Sequence, residues 1–157
     1  MTKPDKVEAT VKAVLDWGAR TPWRTSMIIT LVALIVIVPG LAAMPVTDRD
    51  EARFAQATKQ MLETGDLIDI RFQDQPRWKK PVGIYWLQAV TASIVGGVDE
   101  PIWAYRLPSA LGAWLAALLT AWAVRPLLGP RVALGAGVML ATCVLFAGEA
   151  NIAKTDA

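Results

Sequence analysis

The sequence predicts an all-α integral membrane protein, on three observations. Hydrophobic residues make up 54% of the 157 positions and mean hydropathy is +0.38, more apolar than an ordinary soluble domain. Runs near Met27–Met44, Ile102–Val124 and Val132–Ala150 each approach the roughly 20 residues that a helix needs to cross a hydrocarbon core. Charge gathers into three compact blocks at the mouths of apolar runs: Asp48-Arg49-Asp50-Glu51-Ala52-Arg53-Phe54, then Arg77-Trp78-Lys79-Lys80-Pro81, then Lys154-Thr155-Asp156. The expected architecture is about three transmembrane helices with juxtamembrane helices in the first outer loop.

Composition also excludes several classes of function. A formal net charge of +2 gives no basis for nucleic-acid binding. The lone Cys143 rules out a disulfide framework or a cysteine metal cluster. With no histidine, a His-ligated metal or a Ser-His triad cannot be built within this chain.

Residues 1–25 are polar and of mixed charge. Val7, Val11, Val14 and Leu15 recur at helical spacing and Gly18 follows, which predicts a short amphipathic helix on the cytoplasmic membrane surface. Trp17 and Trp23 suit the interfacial belt before the first span, 26–44. That span begins too far in, and is too long, for a cleaved signal, so it reads as a retained anchor.

Residues 45–101 form the first outer loop. Thr47 can cap a helix of about 48–64 with Asp50 three residues on, and Thr64-Gly65 should end it. Phe54, Ala55, Thr58, Met61 and Leu62 fall on one face, which suits a helix lying flat on the membrane. Residues 66–80 lack a helical period and contain Pro76, so they read as an extended loop. Pro81 opens a second helix, about 81–97, short and closed by Gly96-Gly97. The second span is 102–124, the link 125–131, and the third span 132–151, with 152–157 starting another outer loop. Small residues such as Ala110, Gly112, Ala113, Ala116 and Ala117, and Gly135, Ala136 and Gly137, read as close helix packing.

Sidedness follows from basic residues. The link 125–131 carries Arg125 and Arg131, while 98–101 carries Asp99 and Glu100 and no base, which places the former in the cytoplasm. With the N-terminus also inside, 81–97 cannot cross, and Asp50, Lys80 and Asp156 face one side. Against this, the loop 45–80 holds seven basic residues, Arg49, Arg53, Lys59, Arg71, Arg77, Lys79 and Lys80, and the N-terminal segment only five. An outer loop this basic needs another reason, and binding anionic head groups supplies one.

Each block has a chemical reading and a structural one. Asp50 and Glu51 can orient or deprotonate an acceptor, or they can simply complement the dipole of a first helical turn, which is the commoner use. Lys80 before Pro81, aimed with a helix N-terminus at one spot, makes a sensible phosphate site. Lys79 and Lys80 can equally anchor an interfacial helix among Trp78, Tyr85 and Trp86. In the third block, Glu149 near the hydrophobic part is the most costly charge, although a plain helix end is the commoner case. Trp103 and Arg106 mark the outer interface.

Taken in order, Asp50-Glu51-Ala52-Arg53-Phe54, Met61-Leu62-Glu63-Thr64-Gly65-Asp66, Lys80-Pro81 with Tyr85-Trp86-Leu87-Gln88-Ala89, Arg106-Leu107-Pro108-Ser109-Ala110 and Ala153-Lys154-Thr155-Asp156 resemble one family. It is the bacterial GT-C glycosyltransferases related to aminoarabinose–lipid A transferase and to protein O-mannosyltransferases, matched over their N-terminal part from about residue 45 onward. The resemblance implies a multi-pass enzyme of the bacterial inner membrane with a periplasmic active site. It implies a polyprenyl-phosphate sugar as donor, transfer with inversion, and a lipid A or protein acceptor. It maps the acidic pair onto Asp50 and Glu51, the loop lysine onto Lys80 and a later carboxylate onto Asp156. Lys79 and Arg53 are further candidates for the donor phosphate. Three roles stay open for Asp156: shaping the cleft, contacting the acceptor, or holding a divalent metal. No other cofactor is implied, and the partners are the lipid-linked donor, the acceptor and membrane lipids.

Two departures stand out. Family members are several times longer, so the sequence reads as the front part of a larger protein, and 157 residues alone are expected to be inactive. Lys79 stands where lipid A-modifying relatives often carry glutamate. The competing class is a non-catalytic small membrane protein or transporter subunit that binds lipid phosphates or partner helices. A polar transport pathway predicts charges in mid-span, and these spans are nearly free of them.

Overall fold

A computed structural model describes residues 6–46, 49–77, 80–97 and 101–153. Thr47, Lys79 and Asp156 lie outside the described residues. Among those described are seven helices, α1 (Lys6–Ala19), α2 (Pro22–Ala43), α3 (Arg49–Thr64), α4 (Gly83–Val95), α5 (Ile102–Leu128), α6 (Pro130–Ala141) and α7 (Val144–Ala150), and two two-residue strands, β1 (Arg71–Phe72) and β2 (Gln75–Pro76). By length and composition α2 and α5 can cross a membrane, and α6 with α7 makes a third crossing if the bent pair is one span. At 13 residues α4 is about 20 Å long, short of a hydrocarbon core of roughly 30 Å.

The chain forms two compact units, Met1–Val36 with Trp114–Cys143, and Ile37–Ala113 with Val144–Ala157. The first is built around small residues. Ala33, Ala117, Ala121 and Ala133 are buried, and no side chain fits at Gly137, where an added Cβ would strike Ile29 and lie 3.1 Å from the Ala117 carbonyl oxygen. Backbones approach closely there because nothing projects between them. Trp114 Nε1 donates to Thr30 Oγ1 at 2.9 Å. The C-terminal carbonyls of α1, orphaned by the end of the helix, are met by Thr25, whose hydroxyl donates to Gly18 O at 3.0 Å, and by Arg125, whose Nη2 donates to Ala19 O at 3.3 Å.

Two elements of this unit differ from the sequence reading. The link after the second span shrinks to Gly129, because α5 continues through Pro126 to Leu128, at the cost of one bond from its missing N–H to the preceding turn. Gly129 takes φ +88°, which glycine adopts without strain, and Pro130 opens α6 at once. The expected continuous span 132–151 is broken into α6 and α7 at Thr142-Cys143. The Thr142 hydroxyl bonds back to Val138 O at 2.9 Å, and Cys143 N closes a tighter turn on Leu140 O at 3.1 Å. Hydroxyl back-bonding of this kind bends helices.

The second unit holds α3, the hairpin, α4, the start of α5 and α7. Phe54, Ala57, Met61, Ile70 and Tyr85 make one core, with the Phe54 and Tyr85 rings 5.2 Å apart. Ala92, Ala104, Tyr105 and Ala153 make another. One polar link is buried between α3 and α4, where the Thr58 hydroxyl donates to Gln88 Oε1 at 2.8 Å. The other side of α4 is apolar and uncovered, with Leu87, Val90 and Ile94 exposed, which suits a helix lying against lipid.

The loop read as extended carries a small hairpin, pairing Arg71 with Pro76 and Phe72 with Gln75 around a turn in which Gln73 has φ +58°. Gln60 Nε2 ties it to α3 through Gln73 O at 2.9 Å, and Arg77 N closes it on Ile70 O at 2.7 Å. Ahead of it, the Asp66 carboxylate accepts the Ile68 and Asp69 amides, both at 3.0 Å. Those backbone hydrogen bonds hold the Asp66 carboxyl below its ordinary value, and the Asp69 carboxylate beside Arg71 raises that guanidinium.

Candidate functional site

The first turn of α3 gives its two acids unlike surroundings. Glu51 is fully buried and Asp50 is exposed. A carboxylate is buried only when it is paired and hydrogen-bonded, and Glu51 is both. Arg106 Nε donates to its Oε1 at 2.7 Å and Arg106 Nη2 to its Oε2 at 3.1 Å, the forked geometry that makes such pairs strong. The Ala153 amide donates to Oε1 at 3.0 Å.

Arg106 is fully buried too, and every N–H is used. Nη1 donates to Leu41 O at 2.8 Å and Met44 O at 2.7 Å, and Nη2 also reaches Pro45 O at 3.4 Å. It therefore neutralises the negative end of α2 while holding α3. The sequence reading left Arg106 at the interface as an anchor; its place is inside, as the centre of a joint between α2, α3, α5 and the residues after α7. One signal pointed there, since Arg106 is the only charge in α5 until Arg125, and a charge in an apolar helix needs a partner.

Asp50 faces outward instead. Its Oδ1 lies 3.4 Å from Arg53 Nη1 and 4.0 Å from Arg77 Nη2. Arg77 is itself held, with its guanidinium carbon 5.3 Å from the Phe54 ring centre and its Nε donating to the Tyr85 hydroxyl at 3.3 Å. The second charged block thus meets the first through Arg77, which the sequence reading did not single out. Lys80 is exposed, three residues beyond, in the turn before α4. Among the described residues no side chain caps the start of α4 at Val82.

The third block is reached through Ala153, whose amide rests on Glu51 and which precedes Asp156 by three residues. Asn151 is buried, its Nδ2 donating to Ala147 O at 2.8 Å, with its side chain 2.7 Å from where a Cβ on Gly40 would stand. Glu149 is partly buried on α7. Among the described residues no group of three or more His, Cys, Asp or Glu is placed to hold a metal ion.

Apolar helices of span length, together with buried and paired charges, define an α-helical membrane protein. The chain belongs to the dolichyl-phosphate-mannose-protein mannosyltransferase family, which it matches over residues 79–157. It is 33% identical over 136 residues to an undecaprenyl phosphate-alpha-4-amino-4-deoxy-L-arabinose arabinosyl transferase of Edwardsiella ictaluri, covering 85% of this chain and 23% of that protein. Proteins of the same name from Pseudomonas paraeruginosa and Pseudomonas fluorescens (the latter numbered 2) are 30% and 27% identical, over 87% and 85% of this chain and 24% and 22% of theirs. The chain thus spans about a quarter of the length of these curated relatives. No solved structure matches it.

Proposed function

We propose that this chain is the N-terminal segment of a membrane glycosyltransferase that moves a sugar from a polyprenyl-phosphate donor to a lipid or protein acceptor at the periplasmic face, inverting the anomeric centre. The observation that carries the reading is the divided acidic pair. Glu51 is spent on structure, and it ties α3 to the residues just ahead of Asp156. Asp50 is left facing out between two guanidiniums, on the same helical turn.

In the mechanism, the bond between the sugar's anomeric carbon and the donor phosphate oxygen breaks. The phosphate departs as an anion, and Lys80 and the N-terminus of α4 stabilise its developing charge, with Arg53 or Lys79 assisting. The acceptor oxygen attacks from the opposite face. Asp50 orients it and takes its proton if it is a hydroxyl; a phosphate acceptor has no proton to give up. Asp156 completes the cleft on the acceptor side or holds a divalent metal. The relatives' names favour undecaprenyl-phosphate aminoarabinose as the first donor to try, and the family resemblance adds lipid A as an acceptor.

The test is transfer by the full-length protein in proteoliposomes. Asp50→Asn is expected to lower transfer to a hydroxyl acceptor by about 10²–10⁴-fold, the usual worth of a general base. Lys80→Gln should slow release of the phosphate. Intact transfer to a hydroxyl acceptor in Asp50→Asn contradicts the reading.

A further inference from the structure

We infer that α1 is a docking surface for anionic phospholipid, with its apolar arc and the groove beside it occupied by acyl chains. This goes beyond the transfer reaction and does not depend on it. Every residue of α1 from Lys6 to Leu15 is exposed, among them Val7 (67%), Val11 (52%) and Val14 (54%). At about 100° per residue these valines, with Leu15 and Trp17, fall on one half of the helix, and Lys6, Glu8, Lys12 and Asp16 on the other.

The helix is nevertheless fixed in place. Thr25 and Arg125 hold its last carbonyls, and Arg131 Nη2 pairs with Asp16 Oδ1 at 2.6 Å. Its polar side and its end are anchored, and its apolar arc is uncovered.

The occupant follows from position and charge. Only Arg20 and Thr21 separate α1 from α2, which has the length and composition of a span, so α1 lies at head-group depth. Exposed Trp17 and Trp23 flank that link, and the Arg24 guanidinium carbon sits 4.7 Å and 5.7 Å from their ring centres, an interfacial anchor of aromatic rings and charge. A groove of about 760 Å³ between α1 and α2 is lined by Ala9, Ala13, Val14, Trp17 and Ile28, with Thr10 as its polar member. Around it the described residues 6–24 carry four cations, Lys6, Lys12, Arg20 and Arg24, against two acids, Glu8 and Asp16, and Arg131 already engages Asp16. Apolar surface at head-group depth with surplus positive charge fits an anionic leaflet.

The test uses full-length protein in vesicles of phosphatidylcholine with phosphatidylglycerol, in an otherwise cysteine-free background including Cys143→Ala. A fluorophore is placed at Val11→Cys or, separately, Lys12→Cys. The Val11 probe should be quenched by brominated lipid and not by aqueous acrylamide, and the Lys12 probe the reverse. Brominated phosphatidylglycerol should quench Val11 several-fold more than brominated phosphatidylcholine. That preference should vanish in Lys6→Gln/Arg20→Gln, since each surface cation is worth about fivefold. Quenching of Val11 by acrylamide, shielding from both quenchers by other protein, or equal quenching by the two lipids would each overturn the inference.

Discussion

Asp50 and Glu51 are chemically near-identical neighbours with unlike surroundings, and they should fail differently. Arg106→Ala strands the buried Glu51 carboxylate and frees the carbonyls of Leu41 and Met44. Breaking a buried pair from one side costs about 3–5 kcal/mol, so thermal unfolding of the purified protein should fall sharply. Asp50→Asn changes an exposed group and should alter stability by less than about 0.5 kcal/mol. Equal thermal effects of the two changes would refute the division of roles. The sequence made the pair of acids conspicuous but did not tell them apart. Glu51 and Arg106 are 55 residues apart, and only packing of α3 against α5 reveals that they belong together. Arg77 was hidden for a similar reason, because its partners Asp50, Phe54 and Tyr85 sit on two other elements.

At the scale of elements, α6 depends on contact at Gly137. Gly137→Val should destabilise the protein by about 1–3 kcal/mol through overpacking, and Ile29→Ala should recover part of the loss, measurable as a double-mutant cycle in thermal unfolding. Gly112 and Gly135 have open space around them, so alanine there should be tolerated. The small-residue stripe was legible in sequence; which glycine is the contact was not. The Asp66 turn adds a pH dependence. Its carboxyl is held below the ordinary value of 3.8 chiefly by the Asp69 and Ile68 amides. A depressed carboxyl contributes stability above its unfolded pKa and loses it as pH falls through the folded one. Protection of the Ile68 and Asp69 amides, measured against their intrinsic exchange rate at each pH, should therefore fall as pH drops below about 3.8, while amides in the core of α3 keep theirs. The hairpin after it escaped the sequence because two-residue strands have no alternation to read. The span break escaped because Val132–Ala150 is continuously apolar and only the Thr142 hydroxyl marks the bend.

For the whole molecule, the central claim is that residues 50, 80 and 156 serve one face of the membrane. It rests on parity: α2 and α5 have the length and composition to cross, α6 with α7 makes a third crossing if the bent pair is one span, and α4 has only 13 residues. Apolar run lengths carried most of this in the sequence, whereas the basic loop pulled the charge rule the other way. The most direct measurement is labelling of Asp50→Cys, Lys80→Cys and Asp156→Cys, each alone in a Cys143→Ala background, by a membrane-impermeant thiol reagent on intact cells. All three should label from outside. Labelling at 50 with shielding at 156 that is relieved only by opening the cells would mean that α4 spans, and the shared site would be lost.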